Sequence, residues 1–256
     1  KVIAPISDQK GKVLYAYSIE EKDYPSFGKY AFVQGISSIG IVEKAIEIIK
    51  KQNADNIAIF AQNIGIQAVV VKDFEKRLTA ENIKYVVNVT NQGETDFRLT
   101  IAQDKINRFT KFFVMMFPPE RDIVLKQLLE AGIEKKDILG FNLDMGNTTE
   151  LHTNIPTITY DCGTEDFVES IQEEFNIDNT TSAAEFYDFV NIIIEAYEAL
   201  YTEGKKPTAE EITAYIHNKK EYPCMSGQCI VNSNGFILNK PIVRIYTDNK
   251  WQTMEN

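Results

Sequence analysis

Residues 56–89 read NIAIFAQNIGIQAVVVKDFEKRLTAENIKYVVNV, and this stretch decides the fold class. Asn56 to Phe60 is a short apolar run of strand character, Gln67 to Glu81 has helical spacing, and Tyr85 to Val89 is a second strand-like run. Strands joined through a helix lie parallel, because the helix carries the chain back to the end of the sheet from which it started. The same alternation continues on both sides. Upstream, Val13 to Tyr17 and Tyr30 to Val33 read as strands, and Ile39 to Lys51 as a helix with Ile39, Val42, Ala45, Ile46 and Ile49 on one face. Downstream come a helix over Asp96 to Asn107, a strand over Lys111 to Phe117, a helix over Pro119 to Ala131 closed by Gly132, and a strand over Ile138 to Phe141. Three consecutive βαβ steps predict an α/β chain with parallel sheets.

The pattern changes from Ser182. Ala183 to Tyr201 reads as a helix with Phe186, Val190, Ile193, Ile194, Tyr197 and Leu200 facing inward. A second helix, Thr208 to Asn218, starts with Thr208 as N-cap and Glu211 completing a capping box. Strands over Cys229 to Val231, Phe236 to Leu238 and Ile242 to Tyr246 surround the turn Asn232-Ser233-Asn234-Gly235.

With 256 residues the chain has room for one large domain or two modest ones. Its net charge of −10 argues against nucleic acid or an anionic membrane surface as partner, since like charges would meet over most of the surface. No apolar run approaches the roughly 20 residues that span a bilayer. The chain starts at Lys1 without a signal-peptide pattern, so a signal segment is expected to be missing from it. Cys224 and Cys229 stand close enough in sequence to close a small disulfide loop, with three reduced thiols, Cys162 included, as the alternative.

Enzyme signatures are absent: there is no Gly-x-Gly-x-x-Gly, no Gly-Lys-Ser/Thr phosphate loop and no Gly-x-Ser-x-Gly elbow. No cofactor is expected. His152 and His217 are the only histidines and read as surface residues, which leaves little material for a metal site or a histidine base. Gly35-Ile36-Ser37-Ser38-Ile39-Gly40 reads as a strand-to-helix crossover, since a phosphate cradle would need a lysine and more glycine. Parallel sheets bind ligands beyond the carboxyl ends of their strands. That directs attention to Tyr17, Ser18 and Glu20, to Gln62, Asn63 and Ile64, to Met116 and Phe117, and to Asn142 and Asp144. Aromatic walls with a few hydroxyl, amide and carboxylate groups suit a small polar ligand. Tyr17, Ile64 and Phe117 are candidate walls, Ser18, Gln62 and Asn142 candidate hydrogen-bonding groups, and Glu20 and Asp144 candidate contacts for a cationic group.

Several local motifs, in order, are those of a known family. Tyr30-Ala31-Phe32-Val33 resembles the strand before its first interdomain crossover, and Asn56-Ile57-Ala58-Ile59-Phe60 the first strand of its second lobe. Gly93-Glu94-Thr95-Asp96-Phe97 resembles a Gly-x-x-Asp-Phe turn whose Asp starts a helix. Leu128-Leu129-Glu130-Ala131-Gly132 with Ile138-Leu139-Gly140 resembles a "helix, Ala-Gly, strand, Gly" passage. Ala184-Glu185-Phe186-Tyr187-Asp188-Phe189-Val190 with Glu195-Ala196 resembles a Tyr-Asp-Ala-Val helix, and Ser226-Gly227, Asn234-Gly235 and Asp248-Asn249-Lys250-Trp251 resemble its C-terminal strands. Together they resemble the type I periplasmic solute-binding proteins, in the branched-chain amino-acid and amide branch.

The resemblance implies two Rossmann-like lobes with parallel sheets joined by hinge strands, closing on a small-molecule ligand delivered to the membrane permease of an ABC importer. The protein would be periplasmic or otherwise extracytoplasmic, with or without a lipid anchor. The implied lobes are residues 1–36 with 159–228 and residues 37–158 with 229–256, with hinges near Gly35, Thr159 and Asn234. Family members begin with about two further βαβ units, so the first lobe is expected to be incomplete and to expose an apolar gap. The family's Ala-Thr ligand turn falls at Ile19-Glu20, its pocket aromatic at Ile64 and its ammonium-binding carboxylate near Leu143, beside Asp144. The rival expectations are a ligand-free interaction or sensor domain of the same fold, and a hydrolase or transferase requiring Cys162, His152 and an acid to converge.

Overall fold

The computed structural model describes residues 3–17, 28–35, 37–144, 147–160, 163–176, 183–239 and 241–254. The chain divides into two units, Lys1–Ser37 with Tyr160–Lys240 (unit 1) and Ser38–Thr159 with Pro241–Asn256 (unit 2). It opens with α1 (Ile3–Lys10), β1 (Leu14–Tyr17) and β2 (Ala31–Gly35). Then follow α2 (Ser38–Lys51), β3 (Asn56–Gln62), α3 (Gly65–Ala80), β4 (Lys84–Thr90), α4 (Arg98–Ile106) and β5 (Phe112–Met115). After these come α5 (Glu120–Glu130), β6 (Ile138–Phe141), β7 (Thr157–Tyr160), α6 (Glu165–Phe175), α7 (Ala183–Leu200) and α8 (Ala209–Lys219). The chain ends with β8 (Glu221–Cys224), β9 (Gly227–Val231), β10 (Phe236–Leu238), β11 (Pro241–Thr247) and β12 (Lys250–Thr253).

Unit 2 is built on a seven-stranded sheet in the order β12-β11-β7-β6-β5-β3-β4. The pairs β3–β4, β3–β5, β5–β6 and β6–β7 are parallel, and β11–β12 is antiparallel. Every residue of β5 and β6 is buried, as are six of the seven in β3, which is why these strands read as unbroken apolar runs: helices cover both faces. Ile41, Val42, Ala45, Ile46 and Ile49 form the buried face of α2. Gly132 ends the helical turn after α5 at φ +80°, a backbone that a side chain resists, while its N–H donates to Leu129 O and that of Ile133 to Leu128 O.

Gly140 has a different reason to be glycine. A Cβ there would stand 2.3 Å from Cγ and Cδ1 of Leu143. Gly140→Ala is therefore expected to cost about 1–3 kcal/mol in denaturant unfolding through overpacking. In the Gly140→Ala, Leu143→Ala double variant the two losses should fall short of their sum, because the second substitution removes the clash.

Unit 1 carries a five-stranded sheet in the order β1-β2-β10-β9-β8. β1, β2 and β10 run parallel, and β9 is antiparallel to both β10 and β8. This corrects the sequence reading, which gave everything from residue 229 to the second lobe. Phe236–Leu238 pairs with Val33–Gly35, about as far back along the chain as pairing reaches here, and so draws β9 and β10 into unit 1. Cys224 and Cys229 are joined as a disulfide in the β8–β9 hairpin. Thr208 caps α8 as expected: its hydroxyl accepts from Glu211 N–H (3.2 Å), and the Glu211 carboxylate accepts from Thr208 N–H (2.8 Å). The bonds from Thr208 and Lys205 hold that exposed carboxyl at about 2.

The expected inward face of α7 is corrected in part: Ile193, Tyr197 and Leu200 do pack against the core. The buried residues of α7 are Ala184, Glu185, Asp188, Phe189, Ile192 and Ala196, whereas Phe186, Val190 and Ile194 are about half exposed. Phe189 stacks on Tyr15 with ring centroids 4.1 Å apart, and Phe186 meets the same ring edge-on at 5.2 Å. β1 is the end strand of its sheet, and Ile3 and Ile6 of α1 are exposed.

Candidate functional site

The carboxyl ends of β3, β5 and β6 lie along one edge of the unit 2 sheet. Gln62 ends β3 and is buried; its Oε1 accepts from Phe117 N–H at 2.9 Å and ties the segment after β5 to the end of β3. Ile64 is the partly exposed N-cap residue of α3, without a side-chain capping bond, and Asn63 is exposed. Phe117 is half-buried. Met116, expected to face a ligand, is 2% exposed and belongs to the core cluster with Phe60, Phe112 and Leu143. Its side chain is committed to packing.

Asn142 follows β6 in a left-handed conformation, φ +50°. Its backbone is held from both sides: the N–H donates to Ile158 O (2.9 Å) and the C=O accepts from Arg121 Nη1 (3.2 Å). Leu143 N–H donates to Thr157 Oγ1 at 3.0 Å. The Asp144 carboxylate is buried and accepts from Thr159 Oγ1 (2.9 and 3.0 Å) and from Arg244 Nη1 (3.4 Å). Burial pushes this carboxyl up, against the opposing pull of Arg244 and Thr159. The cation that Asp144 meets is thus supplied by its own unit, which corrects its reading as a contact for a cationic ligand group.

Behind Asn142 lies a buried ionic network. The Arg121 side chain is 1% exposed; Nε donates to Asp122 Oδ1 at 2.7 Å. His152 is fully buried, which overturns its reading as a surface residue. Thr149 N–H donates to His152 Nδ1 (3.1 Å), so Nδ1 is the acceptor, and Nε2 donates to Asp122 Oδ1 (3.1 Å). Both ring nitrogens are therefore used in pinning the loop to α5. Burial pushes the Asp122 carboxyl up, but the bonds from His152 and Arg121 outweigh it and hold it below the ordinary value. A depressed carboxyl contributes stability above the unfolded-state value of about 3.9, and that contribution is lost as pH falls toward the folded-state value. Asp122→Asn is expected to lower the melting temperature at neutral pH and to flatten its fall below about pH 4. A parallel fall in variant and parent would remove Asp122 from the acid response.

In unit 1, β1 ends at Tyr17; Ser18, Glu20 and Cys162 lie outside the described residues. The carboxyl end of β2 carries a pair that sequence reading missed. Tyr15 OH donates to Gln34 Oε1 (2.9 Å), and Gln34 Nε2 donates to Asn239 Oδ1 (3.2 Å). A glutamine at the end of the apolar run Ala31-Phe32-Val33 was the available signal. Among the described residues, Asp188, Cys224 and Cys229 alone group closely enough to suggest a metal site. The cysteines are joined to each other, and the Asp188 carboxylate accepts from Met225 N–H, Ser226 N–H (2.9 Å) and Ser226 Oγ. Those bonds make it a clamp on the β8–β9 turn.

No family model and no curated protein matches the sequence. Solved structures do match. The ABC transporter substrate-binding protein of Desulfitobacterium hafniense in complex with Leu aligns with a TM-score of 0.77 at 17% identity, covering 98% of this chain and 76% of its own. The chain has the type I periplasmic-binding-protein fold. A leucine binding protein from Thermotoga maritima shares this fold with a TM-score of 0.77, 16% identity and coverage of 99% and 75%. A solute binding protein of an ABC transporter from Rhodopseudomonas palustris, in complex with 3,4-dihydroxy benzoic acid, gives 0.76, 15%, 99% and 74%. The chain thus spans about three quarters of the length of each type I periplasmic-binding-protein structure named here. No described helix is long and apolar enough to cross a membrane.

Proposed function

We propose that this chain is a solute-binding protein of an ABC importer. It works outside the cytoplasm, captures a small polar ligand (an amino acid, an amide or a related molecule) between its two lobes by hinge closure, and presents it to a membrane permease without chemical change. The observation that carries the proposal is the carboxyl edge of the unit 2 sheet, where Gln62 is buried and bonded to Phe117 N–H and the buried Asn142 has its backbone held by Ile158 and Arg121 within this fold. Groups held in place before a ligand arrives favour binding, because little is lost in ordering them. Hydrolysis is disfavoured by His152, whose two ring nitrogens are taken by Thr149 and Asp122.

A thermal-shift screen of amino acids, amides, polyamines and aromatic acids tests the proposal. A ligand at 100 times its dissociation constant adds about 2.7 kcal/mol to stability, and the melting temperature should rise for one chemical class. A second reading, an interaction or sensor domain of the same fold, is favoured by the exposed Phe186, Val190 and Ile194 on α7. Under that reading no solute shifts the transition.

A further inference from the structure

We propose that unit 2 carries an additional small-molecule site, at the amino end of β7, which takes a monocarboxylate with a compact apolar body of about six carbons. The site is independent of the solute-binding reading, because it uses the opposite end of the sheet.

Three parts of unit 2 build it. On α2, Lys44, Glu47, Ile48 and Lys51 stand at i, i+3, i+4 and i+7 and so share one side of the helix. α2 packs on β11, which contributes Val243. Met254, just past β12, donates its N–H to Val243 O at 2.8 Å. Pro156 stands immediately before β7, and its C=O accepts from Gly140 N–H at 2.8 Å. All of these residues line one pocket of about 190 Å³. A cavity of about 150 Å³ is enough for benzene, so a six-membered ring or a chain of similar bulk fits. The backbone bonds set two of the walls before any ligand arrives, and the locked φ of proline stiffens one of them. Met254 is unbranched and 43% exposed, a wall that adapts to the bulk placed against it.

The rim decides the chemical class. Lys44 Nζ lies 2.9 Å from Glu47 Oε2 and Lys51 Nζ lies 3.0 Å from Glu47 Oε1, so two cations share one carboxylate. Two lysines and one glutamate leave the pocket at +1, on a chain whose net charge is −10. A ligand carboxylate supplies the missing counter-charge. Lys51, with 59% of its side chain exposed, has N–H donors beyond the one turned to Glu47. An ammonium would meet two ammonium groups and a carboxylate already divided between them. The last turn of α2 carries a partial negative charge that disfavours an anion, but Lys50 and Lys51 stand in that turn and offset it. Negative charge elsewhere on the chain is screened beyond roughly 8 Å at physiological ionic strength. The rest of the ligand must be apolar, because the side chains of Ile48, Pro156, Val243 and Met254 offer no strong hydrogen bond.

The test isotope-labels the methionine methyls of the full chain and follows all five signals by NMR. The probes are cyclohexanecarboxylate, cyclohexylmethanol and cyclohexylmethylamine, which share one carbon skeleton. Met254→Leu assigns one signal and Met116→Leu another, Met116 belonging to the core of the same unit. The acid is expected to move the Met254 signal with a dissociation constant of roughly 1 mM or below. It should bind about three- to fivefold tighter than the alcohol, with the amine weakest. Lys51→Met should remove the advantage of the acid and leave the alcohol unchanged. Glu47→Gln should tighten the acid by a similar factor, because it removes the carboxylate that competes for both lysines. Both side chains reach solvent, so the fold survives these substitutions. A Met254 signal that stays in place at roughly tenfold that concentration overturns the proposal, as does equal or tighter binding of the alcohol or the amine. An acid affinity unchanged in both Lys51→Met and Glu47→Gln also overturns it. So does a shift of Met116 without Met254, which places the acid elsewhere in unit 2. A Met254 shift on raising the protein concentration alone marks a contact between copies of the chain and overturns it as well. Each of these results leaves the solute-binding reading standing, since that reading is decided by the solute panel.

Discussion

Replacing Arg121 by methionine is expected to destabilise unit 2 by about 3 kcal/mol, the cost typical of removing one partner from a buried ion pair. Methionine keeps the length and apolar stem of the side chain, so the change isolates the guanidinium. With it go the bond to Asp122 and the bond to the carbonyl of Asn142. Asp122 retains His152 and has 36% of its side chain exposed, which keeps the loss at the lower end of the usual range. The left-handed backbone of Asn142 loses one of its two anchors, so ligand affinity should fall even where the chain stays folded. Arg121→Lys should recover only part of either loss, since an ammonium cannot reach Asp122 and Asn142 with the same planar fork. Denaturant unfolding and ligand titration of both variants check this. Unchanged stability in Arg121→Met would show that the network is ornamental.

Phe113→Ala is expected to cost about 3–5 kcal/mol, the largest loss foreseen for a single side chain. Phe113 is fully buried on β5, paired in register with Ile59 of β3 and Leu139 of β6, and it meets Phe74 of α3 edge to face at 5.4 Å. Strands on both sides and a helix above leave the site little freedom to collapse around the missing ring. Phe113→Leu should cost less than half as much, because most of the volume is kept. Calorimetric scans are the suitable readout, since two units need not unfold in one transition. A loss below about 1 kcal/mol would mean that the centre of the sheet is packed otherwise than described.

The parallel core was legible because central strands covered on both faces are written as continuous apolar runs, as in Asn56–Gln62, and need no partner to be recognised. Two kinds of feature were not. The first is a choice among equivalent faces: α7 is apolar around much of its circumference, so periodicity could not select the Ala184, Asp188, Phe189, Ile192 face over the Phe186, Val190, Ile194 face. α6 was missed for the opposite reason, since Glu165–Phe175 is dense in carboxylates and shows only a thin apolar stripe.

The second kind is long-range pairing. His152 sits among Thr149, Glu150, Thr153 and Asn154 and reads as a surface loop; its burial depends on Arg121 and Asp122, about 30 residues upstream. Asp144 looks available until Arg244, 100 residues later, is placed beside it. The strand-end rule found Gln62, Asn142 and Asp144 but could not say which of their atoms are already engaged.

The central claim is that this chain binds a small solute reversibly and without turnover. Calorimetric titration of the folded chain with the members of the solute panel that raise its melting temperature, with the recovered solute analysed afterwards, tests it most directly. The account predicts saturable binding at one solute per chain, weakened in Arg121→Met, with the solute recovered chemically unchanged. Absence of binding across the panel, or recovery of an altered product, would contradict it.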